Sequence, residues 1–348
     1  PAAARDRRIC SCYIITKRVD LLCHNIPLLS RVTKGLCMNS LLPIARALLA
    51  LGLGIAPATS AAGVPQVATD IPVVQSLAAM VMGSLGEPVV LMDAGADAHD
   101  YQLRPSQAAA LENAELLVWV GPEMTPWLDR LASARSADTV LGLLDLPQTH
   151  RRHFAPEDAH DGEHHSHDHD GIDPHAWLDP VNAGIWVQAI ADRLAVQDPE
   201  HAEAYRANAR AAKDRIATLD GELAALLAPA RGKPLILGHD AYGYLADRYG
   251  LAIAGTLATG DAASPGAARL SSLQKIAAGS GAACFLPEAG QSDAITRTLT
   301  EGTDLRIGAA LDPEGRTLPG GAGLYPALMM ALGDAIHQCV TAPPDPAP

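Results

Sequence analysis

Three histidines stand where a divalent cation could be held. His99 lies in Gly95-Ala96-Asp97-Ala98-His99-Asp100-Tyr101, soon after a short β-like run ending near Met92. His239 follows directly on Leu235-Ile236-Leu237-Gly238, and His175 lies in Asp173-Pro174-His175-Ala176-Trp177-Leu178-Asp179-Pro180. Any one of them alone reads as an ordinary polar or core residue. The set points to metal, because imidazole suits Zn²⁺ and three histidines with one oxygen make a familiar tetrahedral set. Two acids sit after β-like runs and face the same crevice: Glu288 follows the run ending at Leu286, and Asp312 follows the one ending near Ala309. Glu288 reads better as a helix cap or the partner of a base. Asp312 is the fourth-ligand candidate, with water as the alternative and Asp97 behind both.

A second group of histidines has a different character. His160, His164, His165, His167 and His169 alternate with Asp158, Asp161, Glu163, Asp168 and Asp170. Such density binds divalent metal weakly, because an unstructured segment must be ordered to do so. It is either an auxiliary zinc-collecting loop or a solvated loop whose metal binding is incidental. Other chemistry is missing: there is no G-x-x-x-x-G-K-[ST], no H-E-x-x-H and no G-x-S-x-G. A His₃ zinc hydrolase is the rival from another class, since bound water can become a hydroxide. The sequence offers no set of polar groups for developing charge to support it.

The elements that must position these side chains follow a repeating order. The chain has 348 residues, long for one domain, with 48% hydrophobic residues, enough for two cores. Beyond residue 63, β-like runs alternate with helical patterns, which predicts parallel sheets with crossover helices. Candidate strands are Val64–Thr69, Pro88–Met92, Leu116–Val120 and Thr139–Leu141, then Pro234–Gly238, Leu251–Leu257, Ala282–Leu286 and Leu305–Ala309. His99 and His239 fall after strands, where open α/β sheets collect ligands. Between the two series, His150–Ile172 has no apolar period and reads as a loop. Asp179-Pro180 and Asp198-Pro199 are start signals for two helices. The second spans about Pro199–Ala228, its stripe Tyr205, Ala209, Ala212, Ile216, Leu219, Leu223 and Leu226 running roughly 45 Å. It reads as a rigid strut between two lobes, and its many alanines make a coiled-coil seam the weaker alternative. A final helix is expected over Leu324–Cys339.

Charge, export and cysteines bound the setting. A formal net charge of −13 with 4% aromatic residues argues against a nucleic-acid partner. Residues 1–62 are basic (Arg5, Arg7, Arg8, Lys17, Arg18, Arg31, Lys34 and Arg46 against Asp6 and Asp20), so the remainder is more acidic still. Met38, the apolar Leu41–Ile55 and the small residues Ala56–Ala62 read as a secretory signal at 38–62, cleaved near Ala61/Ala62. Residues 1–37 read as a non-native segment upstream of the true start. With Cys10, Cys12, Cys23 and Cys37 set aside, Cys284 and Cys339 form an even pair in an exported chain. That reads as one disulfide, or otherwise as two unrelated buried thiols.

Four stretches together resemble the zinc-binding proteins of the ZnuA type, among the metal-specific solute-binding proteins of ABC importers. They are Gly95–Ser106 (G-A-D-A-H-D-Y-Q-L-R-P-S), Val118–Met124 (V-W-V-G-P-E-M), Asp173–Pro180 (D-P-H-A-W-L-D-P) and Gly238–Tyr244 (G-H-D-A-Y-G-Y). The resemblance covers essentially Val64–Cys339, in family order. It implies two Rossmann-like α/β lobes joined by one long rigid helix, with the metal site in the inter-lobe cleft. The lobes would be residues 63–178, including the His-rich loop 150–172, and 233–348, with connecting helices at 179–232. It further implies His99, His175 and His239 as Zn²⁺ ligands, an auxiliary His-rich loop and a Cys284–Cys339 disulfide. The expected role is high-affinity capture in the periplasm by a monomeric, non-catalytic protein that serves a membrane permease, with a periplasmic zinc chaperone as a further partner. Some relatives place Glu immediately before the first histidine; here Ala98 stands there. Manganese and iron relatives, the alternative within the family, carry a carboxylate where His239 stands, and three imidazoles favour Zn²⁺ over those harder ions.

Overall fold

The computed structural model describes residues 63–154, 171–258, 266–282, 284–303 and 305–342. Residues 1–37 and 38–62, expected as an upstream segment and an export signal, and the histidines His160, His164, His165, His167 and His169 lie outside these residues. Two four-stranded parallel sheets carry the fold. The first is built from β1 (Val67–Thr69), β2 (Val89–Val90), β3 (Leu116–Trp119) and β4 (Val140–Gly142), in the order β2-β1-β3-β4. Its helices are α1 (Pro72–Met82), α2 (Pro105–Asn113) and α3 (Pro126–Ser133). Each begins with Pro in its first turn, where the missing N–H costs nothing.

A short antiparallel hairpin follows, β5 (Arg152–His153) with β6 (Ile172–Asp173), in register Arg152↔Asp173. The expectation of an unstructured loop over 150–172 is therefore corrected at both its ends. Next come α4 (Pro180–Gln197) and α5 (Ala202–Leu226). Asp179 caps α4 by accepting the Val181 N–H at 3.0 Å. Asp198 does not start α5 as its Asp-Pro pair suggests. It accepts instead from the Tyr205 hydroxyl and contacts His201 Nδ1, both at 2.8 Å, so the helix begins three residues after Pro199.

The second sheet contains β7 (Pro234–Leu237), β8 (Ala252–Thr256), β9 (Cys284–Leu286) and β10 (Arg306–Ile307), in the order β10-β9-β7-β8. Its helices are α6 (Gly243–Tyr249), α7 (Ala267–Ser280) and α8 (Asp293–Thr300), and α9 (Leu324–Thr341) closes the chain. Among the described residues no helix is long and apolar enough to cross a membrane.

The core differs from the expected two. Each sheet has a small outer core, Leu117, Leu128 and their neighbours on the first and Ile236, Phe285 and Leu299 on the second. Their inner faces share one continuous apolar core with α1, α4, α5 and α9. Tyr205, Ala209, Ala212, Ile216, Leu219 and Leu223 of α5 are buried in it, as the stripe predicts, while Leu226 is half-buried. All eleven residues of α1 are buried because helices surround it as well as the sheet. Polar ties cross the same region: Tyr325 N–H donates to Ser76 Oγ at 3.0 Å and Gly321 N–H to Gln75 Oε1 at 2.9 Å. The Cys284–Cys339 disulfide pins α9 to the central strand β9.

Candidate metal centre

His99, His175 and His239 converge, with ligand atoms all within 4.8 Å of one another. Ring centroids are 5.2 Å apart for His175 and His239, 5.6 Å for His99 and His175, and 5.9 Å for His99 and His239. Edges of a tetrahedral zinc–imidazole set are about 3.3 Å, given Zn–N bonds of about 2.0–2.1 Å, so small ring movements complete a site.

Each histidine is held by its own surroundings. His99 sits in the loop after β2, where its N–H donates to Asp97 Oδ1 at 3.0 Å. The Trp127 indole on α3 donates to the Ala98 carbonyl at 2.7 Å, fixing the loop from below. Tyr101 donates to Asp93 at 2.6 Å, and Gln107 reaches both, which anchors the far end. His175 follows β6 and is fully buried. Asp173 Oδ1 accepts its backbone N–H at 3.0 Å and lies 2.9 Å from Nδ1. A carboxylate only accepts, so the ring proton sits on Nδ1 and the Nε2 lone pair faces the centre. That Nε2 is buried without a hydrogen-bond partner among the described residues, a cost of about 1–3 kcal/mol that a bound cation removes.

His239 emerges from the end of β7. Gly238 before it has no room for a side chain: a Cβ there would lie 2.6 Å from the Glu288 backbone nitrogen. That close approach brings Glu288 Oε2 to 3.0 Å from His239 Nδ1, the same carboxylate–imidazole arrangement as at His175. Glu288 thus pairs with a base, in line with its favoured reading. It is held by Arg316, whose Nη2 is 3.4 Å from Oε1 and donates to the Ala289 carbonyl at 3.0 Å. Arg316 also reaches the Ala96 carbonyl in the His99 loop at 3.5 Å, bridging the two strand ends.

Asp312 is not brought into the histidine group. Its Oδ1 accepts the Arg316 N–H at 3.0 Å, and its Oδ2 accepts from Thr317 N–H at 2.8 Å and Thr317 Oγ1 at 2.6 Å. Both oxygens shape the turn that delivers Arg316. Glu314 in the same turn is buried, and burial pushes its carboxyl up to about 8 against the pull of Arg316, with Asp97 and Glu288 adding to the rise. Sequence reasoning missed Arg316 and Asp173; for Asp173 its place two residues before a histidine is a readable sign, because Asp often bonds the backbone two residues on.

The chain matches the family described as zinc-uptake complex component A periplasmic over residues 67–339. It is 47% identical over 322 residues to the high-affinity zinc uptake system protein ZnuA of Paracoccus denitrificans, covering 84% of this chain and 97% of that protein. The protein of the same name from Brucella suis is 33% identical over 314 residues, 79% of this chain and 91% of the relative. Among solved structures, a mutant metal-free periplasmic metal-binding protein from Candidatus Liberibacter asiaticus superposes with a TM-score of 0.67 at 19% identity, covering 79% of this chain and 99% of that one. That likeness speaks for the two-lobed α/β fold.

Proposed function

Since this chain belongs to the zinc-uptake complex component A periplasmic family (ZnuA), we propose that it captures Zn²⁺ through His99, His175 and His239. The function is high-affinity zinc capture in the periplasm and delivery to the permease of an ABC importer. The observation that carries the ligand assignment is the convergence of three imidazoles from separate elements within 4.8 Å.

The chemistry of capture follows from the donors. Two of the rings face carboxylates with Nδ1, which leaves Nε2 for the cation and raises its basicity. Neutral nitrogen donors suit Zn²⁺ better than the harder Mn²⁺, for which carboxylate oxygen would be expected. Water completes the set, because Asp312 is committed to its own turn. His99 is the least buried of the three, so the loop after β2 is the ligand-bearing segment nearest to solvent. The protein acts without catalysis and as a monomer, is exported with cleavage near Ala61/Ala62, and takes zinc also from a periplasmic chaperone.

The test is metal analysis of the exported chain purified natively without added metal, followed by competition with a chromophoric chelator. About one tightly held zinc per chain is expected, lost in His99→Ala, His175→Ala and His239→Ala. Unchanged tight binding in His239→Ala overturns the assignment.

A further inference from the structure

We propose that Arg152 is a positioning residue for zinc capture: its guanidinium ties Asp173, which orients His175, to α6, which begins just after His239. The inference rests on the reading of His175 and His239 as ligands and adds a residue that sets their separation.

Arg152 makes contacts on both sides of that junction. Its backbone N–H donates to the Tyr244 hydroxyl at 2.8 Å, and that hydroxyl donates to the Asp173 carbonyl at 2.9 Å. Its Nε donates to Asp247 Oδ2 on α6 at 2.7 Å. Its Nη1 lies 3.6 Å from Asp173 Oδ2. Asp173 is fully buried, and Oδ2 has no hydrogen-bond partner among the described residues. The guanidinium is therefore the nearby charge that compensates this buried oxygen, while Oδ1 serves His175.

The seat for the guanidinium is built by a glycine. A Cβ at Gly243 would lie 1.9 Å from Arg152 Nη1 and 2.4 Å from Cζ, so no other residue fits there with Arg152 in place. Exposed ion pairs contribute little, which describes the Asp247 leg, whose carboxylate is 58% exposed. The Asp173 leg is different, since a buried carboxylate deprived of its counter-charge is costly. Without Arg152 the relief available is rotation of Asp173 away from His175, which releases the imidazole from its orientation. Loss of such outer partners typically weakens metal binding about 10–100-fold.

The experiment uses the full chain and zinc as the probe, with affinity read by chelator competition and metal-free folding by thermal unfolding. Arg152→Met is expected to raise the zinc Kd about 10–100-fold. Gly243→Ala keeps Arg152 but unseats it, gives the same direction, and serves as the measurement if Arg152→Met does not fold. Asp173→Asn alone should lower affinity, and the double variant Arg152→Met/Asp173→Asn should be no weaker than Asp173→Asn, because both act on one imidazole. A parent-like Kd in folded Arg152→Met, or losses that simply add in the double variant, overturns the proposal. Unchanged binding in His175→Ala would instead remove the ligand reading beneath it.

Discussion

Replacing Glu288 with Gln separates metal affinity from stability, because the two should move in opposite directions. The carboxylate lies 3.0 Å from His239 Nδ1, and Arg316 approaches its other oxygen at 3.4 Å. Adding the width of the ring and a Zn–N bond puts the charge about 7 Å from a bound cation. At an effective dielectric constant of about 20, one negative charge attracts Zn²⁺ across that distance by roughly 5 kcal/mol before desolvation. Gln keeps an acceptor for the ring and avoids part of the desolvation cost. The net loss is therefore expected near 2 kcal/mol, about a 30-fold rise in Kd, within the range for outer partners of metal ligands. The metal-free protein should hold its stability or gain some, since Glu288 is one of the charges that raise the buried Glu314 carboxyl. Chelator competition gives the first quantity and denaturant unfolding the second. A Kd within about twofold of the parent would refute the role assigned to Glu288, and so would a metal-free protein that unfolds more readily.

Three further outcomes can be checked. Thiol titration of the unfolded, unreduced protein should find Cys284 and Cys339 unreactive, and reduction should cost up to about 4 kcal/mol for their 55-residue separation; two free thiols there would remove the bridge. Glu314 holds its proton up to about 8 when folded and to about 4.5 when unfolded, so the folded state binds the extra proton and stability falls as pH rises through that window. Glu314→Gln should remove about 1.4 kcal/mol per pH unit of that slope; an unchanged pH profile of unfolding contradicts it. Replacing 155–170 by Asn-Gly should be tolerated, because Phe154 N–H already donates to the Gly171 carbonyl at 2.7 Å across the hairpin. Calorimetry should then show the tight zinc site intact and weaker sites gone; loss of the tight site would mean that it depends on the histidine-rich segment.

Much of the fold was legible because its signals are local. Short apolar runs alternating with helical patterns gave both parallel sheets, and the α5 stripe predicted six buried positions correctly. The hairpin was not legible: two-residue strands carry no alternation, and their partners are separated by the whole histidine-rich segment. The shared core was also hidden, since apolar periodicity shows that a face is buried but not which element covers it. Asp198-Pro199 looked like Asp179-Pro180, yet the packed Tyr205 hydroxyl and His201 drew Asp198 away from the cap.

At the metal centre the division is clearest. The sequence singled out His99, His175 and His239 as candidate ligands because His99 and His239 come after strands and imidazole suits Zn²⁺, and the structure brings the three rings together. Asp312 and Glu288 both come after strands; the sequence favoured Glu288 as the partner of a base and Asp312 as a ligand, and the tertiary structure pairs Glu288 with His239 but leaves Asp312 outside the histidine group. Asp312 spends both oxygens on the turn before Arg316, while Gly238 lets Glu288 come up behind His239. Arg152 meets Asp173, Tyr244 and Asp247, and Arg316 meets Ala96, Glu288 and Ala289, only when distant segments come together. Sequence fixes which donors exist and near which strand ends they emerge; which oxygen remains available is settled by three-dimensional competition among backbone N–H groups, guanidinium groups and imidazoles for the same lone pairs.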